Sequence, residues 1–361
     1  MLHRVRSSGW ACLGGISLAV AAACTQDHGV LGRDPSSGAS TSGAGGGPGA
    51  TTSGATTTTT GAGGGAVEPP GPTKLTVVNG ISDHDAVRFC FLAYPDGTGA
   101  GVDPWPGAAA GLAFARAQEI EPLGAAIPAG TSLRAHVIAG DLRATEGLDC
   151  AEILALAGGT GSPAAPIVAA GLPVLPAPVF AEEKSLLVVA TGCLGGEGHT
   201  HESEKEGCGD AYTIDTPTAG LVAVAMSRRT TFDRVSLQVA HASAATPVVH
   251  VALAPGREDA TGVTLAQDLS YGAIAPFPPF TGFSVGDLGA LDEVAIETRD
   301  PIEGTVTSSV PMREILASSD VPAADIGDGQ GFVLVAVGAA PGAEQGGFWH
   351  PLTYSLLRAN P

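Results

Sequence analysis

The chain has 361 residues, with 17 Lys and Arg against 36 Asp and Glu, a formal charge of −19. A field of that sign repels phosphate backbones and anionic membrane surfaces, which excludes nucleic acid as a partner. Hydrophobic content of 44% supports real cores, while 5% aromatics, 52 Gly and 27 Pro fit short strands and many turns rather than long helices; the length allows two to three domains.

Taken in order, residues 1–23 read as an export signal. Arg4 and Arg6 precede a short apolar stretch, 10–20, too short to span a bilayer, and Ala21-Ala22-Ala23 then stands before a cysteine. The arrangement resembles a bacterial lipoprotein signal, which implies that Cys24 is acylated and becomes the new N-terminus. Ala21 stands where leucine is usual in that signal, so ordinary cleavage after Ala23 stays open. Thr25 implies, by the same resemblance, sorting to the outer membrane. Losing residues 1–23 removes Arg4 and Arg6 and no acid, which takes the charge from −19 to −21. The expected address is the outer membrane, lipid-anchored, with the body periplasmic or surface-exposed.

Residues 24–73 are dominated by Gly, Ser, Thr, Ala and Pro, including Thr56 to Thr60 and Gly63 to Gly65. Without large apolar groups to offset ordering entropy, the segment reads as a disordered tether. About 50 residues of flexible chain reach roughly 35–42 Å. Its glycine clusters are not nucleotide-binding loops, because no strand precedes them and no helix follows.

Two tandem repeats follow, over 74–228 and 229–361. Leu75-Thr-Val77, a polar turn Ser82-Asp83-His84-Asp85 and Val87-Arg-Phe89-Cys-Phe91 return as Leu237-Gln-Val239, a small-residue turn and Val249-His-Val251-Ala-Leu253, 162 positions on. Cys150-Ala-Glu-Ile-Leu-Ala and Met312-Arg-Glu-Ile-Leu-Ala share four residues at the same offset. In the first repeat strands are expected over 75–79, 87–91, 133–138, 186–190 and 221–226, a helix over 150–156 capped by Asp149, and a proline-rich connection over 163–178. In the second, strands are expected over 235–241, 248–253, 264–271, 280–285, 293–298, 332–337 and 353–357, with the matching helix over 312–317. Residues 332–338 also match 186–192 at a shorter offset. The fold class expected is all-β: two tandem Ig-like β-sandwiches, each with one short helix.

The second repeat reads Val239-Ala-His241-Ala-Ser243, Pro247-Val-Val-His-Val251, Leu269-Ser-Tyr271-Gly272 and Phe280-Thr-Gly-Phe-Ser-Val285. This resembles a family of secreted bacterial and archaeal β-sandwich domains of unknown function that open with a valine-rich strand and a His-Ala-Ser turn. The likeness covers 235–300 and, more weakly, 75–138, where Asn79 replaces the histidine. His250 stands where the family has an aspartate after the turn proline. The resemblance implies a fold and an extracytoplasmic setting, and supplies no catalytic residue.

Cys12 leaves with the signal and Cys24 is the lipid candidate, which leaves Cys90, Cys150, Cys193 and Cys208. An even number in an exported chain implies disulfides, with three possible pairings. Cys90 and Cys150 map at the common offset onto Ala252 and Met312, both apolar, which favours Cys90–Cys150 and leaves Cys193–Cys208 to close a Gly-rich loop.

That loop holds Glu197-Gly-His199-Thr-His201-Glu202, whose histidines two apart are a candidate Zn²⁺ or Cu²⁺ pair. A solvated acidic loop with no fixed ligand set is the commoner outcome, so no metal or other cofactor is assigned. Gly282-Phe-Ser284-Val-Gly286 matches the nucleophile elbow of α/β-hydrolases in letters only, because a strand pattern rather than a helix follows. His241 reads as a turn histidine bonded to its own hairpin, Asp83-His84-Asp85 as a polar turn, and 325–331 as a turn lacking the glutamate of a calcium loop. The leading expectation is a non-enzymatic envelope lipoprotein that presents two sandwiches for adhesion, envelope assembly or ligand binding, with an envelope protein or a glycan as partner. The alternative is a metal-binding or hydrolytic envelope protein using His199 and His201 or Ser284.

Overall fold

The computed structural model describes residues 69, 71–120, 130–158, 166–180, 183–196, 199, 207–209, 211–213, 216–246, 248–256, 262–276, 282–283, 291–339 and 349–359, with 282, 283 and 292 described by backbone alone. The segment read as an export signal, Cys24 and nearly all of the segment read as a tether lie outside these residues. The first unit is built from β1 (Lys74–Ile81), β2 (Ala86–Ala93), β3 (Leu112–Ala113), β4 (Ala117–Glu119), β5 (Leu133–Gly140), α1 (Cys150–Leu156), β6 (Ile167–Leu175), β7 (Ser185–Gly192) and β8 (Gly220–Met226). The second follows with β9 (Val235–His241), β10 (Val248–Ala254), β11 (Val263–Ser270), β12 (Ile274–Ala275), β13 (Gly282–Phe283), β14 (Ala295–Arg299), β15 (Val306–Pro311), α2 (Met312–Ser318), β16 (Gly331–Val337) and β17 (Thr353–Arg358).

These strands form four sheets in two pairs, the tandem all-β architecture expected from the turn-rich sequence. In the first unit the orders are β4-β1-β7-β8 and β3-β2-β5-β6; in the second they are β12-β9-β16-β17, with β13 also on β9, and β11-β10-β14-β15. The repeat is legible in register. β1 runs parallel to β7 with Leu75 opposite Leu186, and β9 runs parallel to β16 with Leu237 opposite Phe332. Leu75, Val77, Phe89, Phe91, Val137, Leu186 and Val188 fill the first core, and Leu237, Val239, Val251, Leu253, Ile296, Phe332 and Leu334 fill the second.

The two sandwiches are stacked. A third apolar layer holds Val78, Leu187, Val189, Val222 and Val224 from one unit with Ala240, Val333, Val335, Val337 and Leu357 from the other. Sheets β4-β1-β7-β8 and β12-β9-β16-β17 therefore pack back to back, and β7, β9 and β16 are buried along their whole length on both faces. This is why their sequences read as near-continuous apolar runs instead of alternating. Gly80 permits the close approach, because a Cβ there would lie 2.9 Å from Val337 Cγ1 and 2.8 Å from the Ala190 carbonyl. The connection between units is fastened as well. Ser227 N–H donates to Gln238 Oε1 at 2.8 Å, and the buried Arg228 donates to Ser185 Oγ at 2.7 Å and to the Pro72 carbonyl.

Three expectations need correction. The two helices do not correspond: α1 leaves β5 and precedes β6, whereas α2 follows β15, the partner of β14 that stands where β6 stands beside β5. α1 packs outside its sheet, with Cys150 and Ile153 against Cys90, Ile138 and Ile167. α2 instead turns Met312 and Ile315 into the core between sheets, with Val251 and Leu253, and Ala252 alternates to the other face of β10. The shared Glu-Ile-Leu-Ala is thus no mark of equivalence. Second, the proline-rich connection over 163–178 contains β6, an edge strand whose Pro173 is exposed, the position where a sheet tolerates a missing N–H. Third, β15 was not anticipated because its Val-Thr-Ser-Ser-Val run is short of apolar residues. Of the strand expected over 280–285, residues 282 and 283 form β13 and the others lie outside the described residues.

Both disulfides join the pairs favoured by the sequence, Cys90 to Cys150 with Cα atoms 5.7 Å apart and Cys193 to Cys208 at 5.6 Å. The first is right for a reason other than the one used to choose it, since Ala252 holds the place of Cys90 but Met312, turned into the core between sheets, does not hold that of Cys150. It fastens a helix that has no equivalent in the second unit.

Candidate functional site

The polar turn after β1 and the segment after β7 meet at one end of the first sandwich. Because β1 and β7 are parallel neighbours, their C-terminal ends lie side by side, and Ser82 N–H donates to the Gly192 carbonyl at 2.8 Å. Asp83 is turned inward, its side chain fully buried. Its carboxylate accepts from Leu194 N–H at 2.9 Å and from Gly195 N–H at 2.7 Å. These bonds hold the charge where bulk water is excluded and pin the segment leading into the Gly-rich loop.

His84, next in the turn, places Nε2 2.8 Å from the Gly195 carbonyl. A carbonyl only accepts, so Nε2 carries the proton and the lone pair of the neutral ring is on Nδ1. His199 folds back over the same spot. Its N–H donates to the Gly196 carbonyl at 3.2 Å, its Nδ1 lies 3.8 Å from Asp83 Oδ2, and its ring centroid is 5.0 Å from that of His84. His199 is buried, at 7% exposure. The Cys193–Cys208 bond closes the loop beside it, with the buried Tyr212 packed on the sulfurs.

The second unit contributes Trp349 and His350 to this end. His350 N–H donates to the Ser82 carbonyl at 2.6 Å, its Nε2 lies 3.1 Å from Asp85 Oδ1, and its ring stacks on Phe114 at 4.0 Å. Burial pushes its pKa below the usual histidine value, against the opposing pull of Asp85. The Trp349 ring lies against Gly207 in the disulfide loop. A cavity of about 350 Å³ opens beside His84 and Asp85, lined further by Asp141 and Arg143.

The structure thus joins two features that the sequence kept apart, the turn at 83–85 and His199. Their separation of more than a hundred residues left no local spacing to reveal it. His201 and Ser284 lie outside the described residues, although Gly282 and Phe283 sit in β13, paired antiparallel with β9. Asp325 ends a 3-10 turn, Ala323–Asp325, and pairs with Arg358. Cys193 and Cys208 also stand near Asp83, but as a disulfide they offer no thiolate.

His241 occupies the position in β9 that Asn79 holds in β1, and does the same work. Asn79 Oδ1 accepts from Ile81 N–H at 3.0 Å; His241 Nδ1 accepts from Ser243 N–H at 3.4 Å, while Nε2 donates to the Thr246 carbonyl at 2.7 Å. Both ring nitrogens are committed to the neutral form, and burial lowers the pKa from 6.5 to about 4. The unfolded chain binds this proton below pH 6.5 and the folded one does not until about pH 4. Stability supplied by the neutral ring is therefore whole above pH 6.5 and is lost as pH falls toward 4, about 3 kcal/mol in all. In His241→Asn, urea melts at pH 7 and pH 4.5 should lose most of that slope; an unchanged slope would assign it elsewhere.

No family model matches the sequence, and no curated protein matches it. Among solved structures, a proposed adhesin from Bacteroides thetaiotaomicron is 9% identical, over 82% of this chain and 99% of that one, with a TM-score of 0.16. A likeness at that level carries no argument about fold or function.

Proposed function

We propose that this is a non-enzymatic cell-envelope lipoprotein, acylated at Cys24 and held at the outer membrane. It presents its stacked sandwiches for adhesion, envelope assembly or ligand binding, to an envelope protein or a glycan. The observation that carries the reading is how the body is mounted. The chain enters at Pro72 under the buried Arg228, which ties it to Ser185 and to the connection between units. A Gly/Ser/Thr-rich segment of about 50 residues thus ends at one pinned point on a body whose central sheets are buried on both faces. That mounting supports the reading of a presented scaffold. No helix among the described residues is long and apolar enough to cross a membrane, so attachment in this reading falls to the lipid. The same reading takes residues 235–300 as a member of the secreted β-sandwich family they resemble.

The test is fractionation. Cys24→Ala should move the protein from the membrane fraction to the soluble fraction, and metabolic labelling with a palmitate analogue should mark the wild type alone. Membrane association that persists unlabelled in Cys24→Ala would overturn the anchor.

A further inference from the structure

We propose that Asp83, His84 and His199 form a binding site for a divalent first-row transition ion, with Zn²⁺ the best fit. The inference stands apart from the lipoprotein reading.

The donor set comes first. Two imidazoles and a carboxylate select Zn²⁺ and its neighbours over Mg²⁺ and Ca²⁺, which take oxygen shells. Three protein ligands leave a fourth tetrahedral position open to solvent or to a ligand. One donor atom from each of the three residues lies within 4.8 Å of the others. The 3.8 Å between His199 Nδ1 and Asp83 Oδ2 is too long for a hydrogen bond. It approaches the separation of two ligands on one ion with metal–ligand bonds of about 2.0–2.2 Å.

The surroundings are those of a supported site. The Gly195 carbonyl fixes His84 by accepting a hydrogen bond from its Nε2–H, the second contact that metal-bound histidines commonly make. Leu194 and Gly195 N–H groups orient Asp83, leaving it a buried anion that a cation would neutralise. Among the described residues no Lys or Arg makes an ion pair with Asp83. The Cys193–Cys208 bond closes the loop that carries His199, and the His199 N–H is itself bonded to the Gly196 carbonyl. The cavity beside His84 carries Asp85 and Asp141 at its wall against a single Arg143.

Isothermal titration of the mature, disulfide-bonded chain with ZnCl₂ should give one equivalent per chain. Titration with Co²⁺ should raise the intense visible bands of a tetrahedral nitrogen–oxygen shell. His84→Gln and His199→Gln should each weaken Zn²⁺ binding by roughly 100-fold or more, beyond what loss of an outer contact costs. Both variants should lose the Zn²⁺-induced rise in melting temperature that the wild type shows, and their metal-free melts report whether they fold. His201→Gln should bind as the wild type does. Absence of binding in the folded wild type would overturn the site. So would loss of binding in His201→Gln with His84→Gln unaffected, which would place the ion in the loop alone.

Discussion

Val335→Asp should unfold both sandwiches together. Val335 lies in β16 of the second unit, fully buried, with its side chain in the layer shared with Val78, Leu187 and Val189 of the first. A carboxylate there has no partner, and leaving a charge buried and unpaired costs about 3–5 kcal/mol. Val335→Ala, which only removes methyl groups, should cost roughly 2 kcal/mol. The measurement is hydrogen exchange, read at amides of β5, deep in the first sandwich, and of β14, in the second. Coupled units predict that protection falls in both by the same free energy. Undisturbed β5 protection would mean that the sandwiches stand independently and the shared layer contributes little.

The second large effect belongs to Cys90–Cys150. Replacing both cysteines with alanine releases a loop spanning 60 residues of sequence, worth about 4 kcal/mol in the chain-entropy model. Cys193–Cys208 spans 15 and corresponds to about 3 kcal/mol. For a body of this size the first pair should lower the melting temperature on the order of 10 °C by calorimetry. A shift of a degree or two would show that α1 is held by its apolar face alone. The second unit shows that the architecture needs no bond there, since its helix leaves from a different connection and buries Met312 and Ile315 between its sheets.

These two cases show what the sequence discloses and what it hides. The opening hairpins were legible because a period of two and a fixed offset both survive in Leu75, Val77, Leu237 and Val239, which fill equivalent places in the two cores. The shared Glu-Ile-Leu-Ala misled because a seven-residue helix keeps few constraints, and an apolar pair plus an acid in its first turn recurs without common descent. The stacking of the sandwiches was written in Ser185–Gly192 and Gly331–Val337, where no face of the strand is polar. A run of that kind means burial on both sides, and one sandwich accounts for only one of them. β6 was hidden by its prolines and β15 by its serines and threonines, both marks of an edge, where pairing and burial are only half complete. The cluster at Asp83 was out of reach, because a turn and a loop far apart in sequence meet only through the parallel pairing of the strands before them. His241 was readable as a hairpin histidine; its shared role with Asn79 needed the bonds to be seen.

The place where the chain joins the body has a mechanical consequence. Tension arriving through the segment before Lys74 pulls along the axis of β1, which lies inside its sheet between β4 and β7. β1 is matched to β7 over all eight of its residues in parallel register, so a lengthwise pull stretches those bonds side by side, in shear. A hairpin opened from its end would part them one after another. Arg228 meets the strain first, at Pro72, and passes it through Ser185 to the start of β7. Resistance under such a pull is set by the rate of crossing the unfolding barrier rather than by equilibrium stability. A pull on the chain ahead of β1 thus has to break many bonds at once.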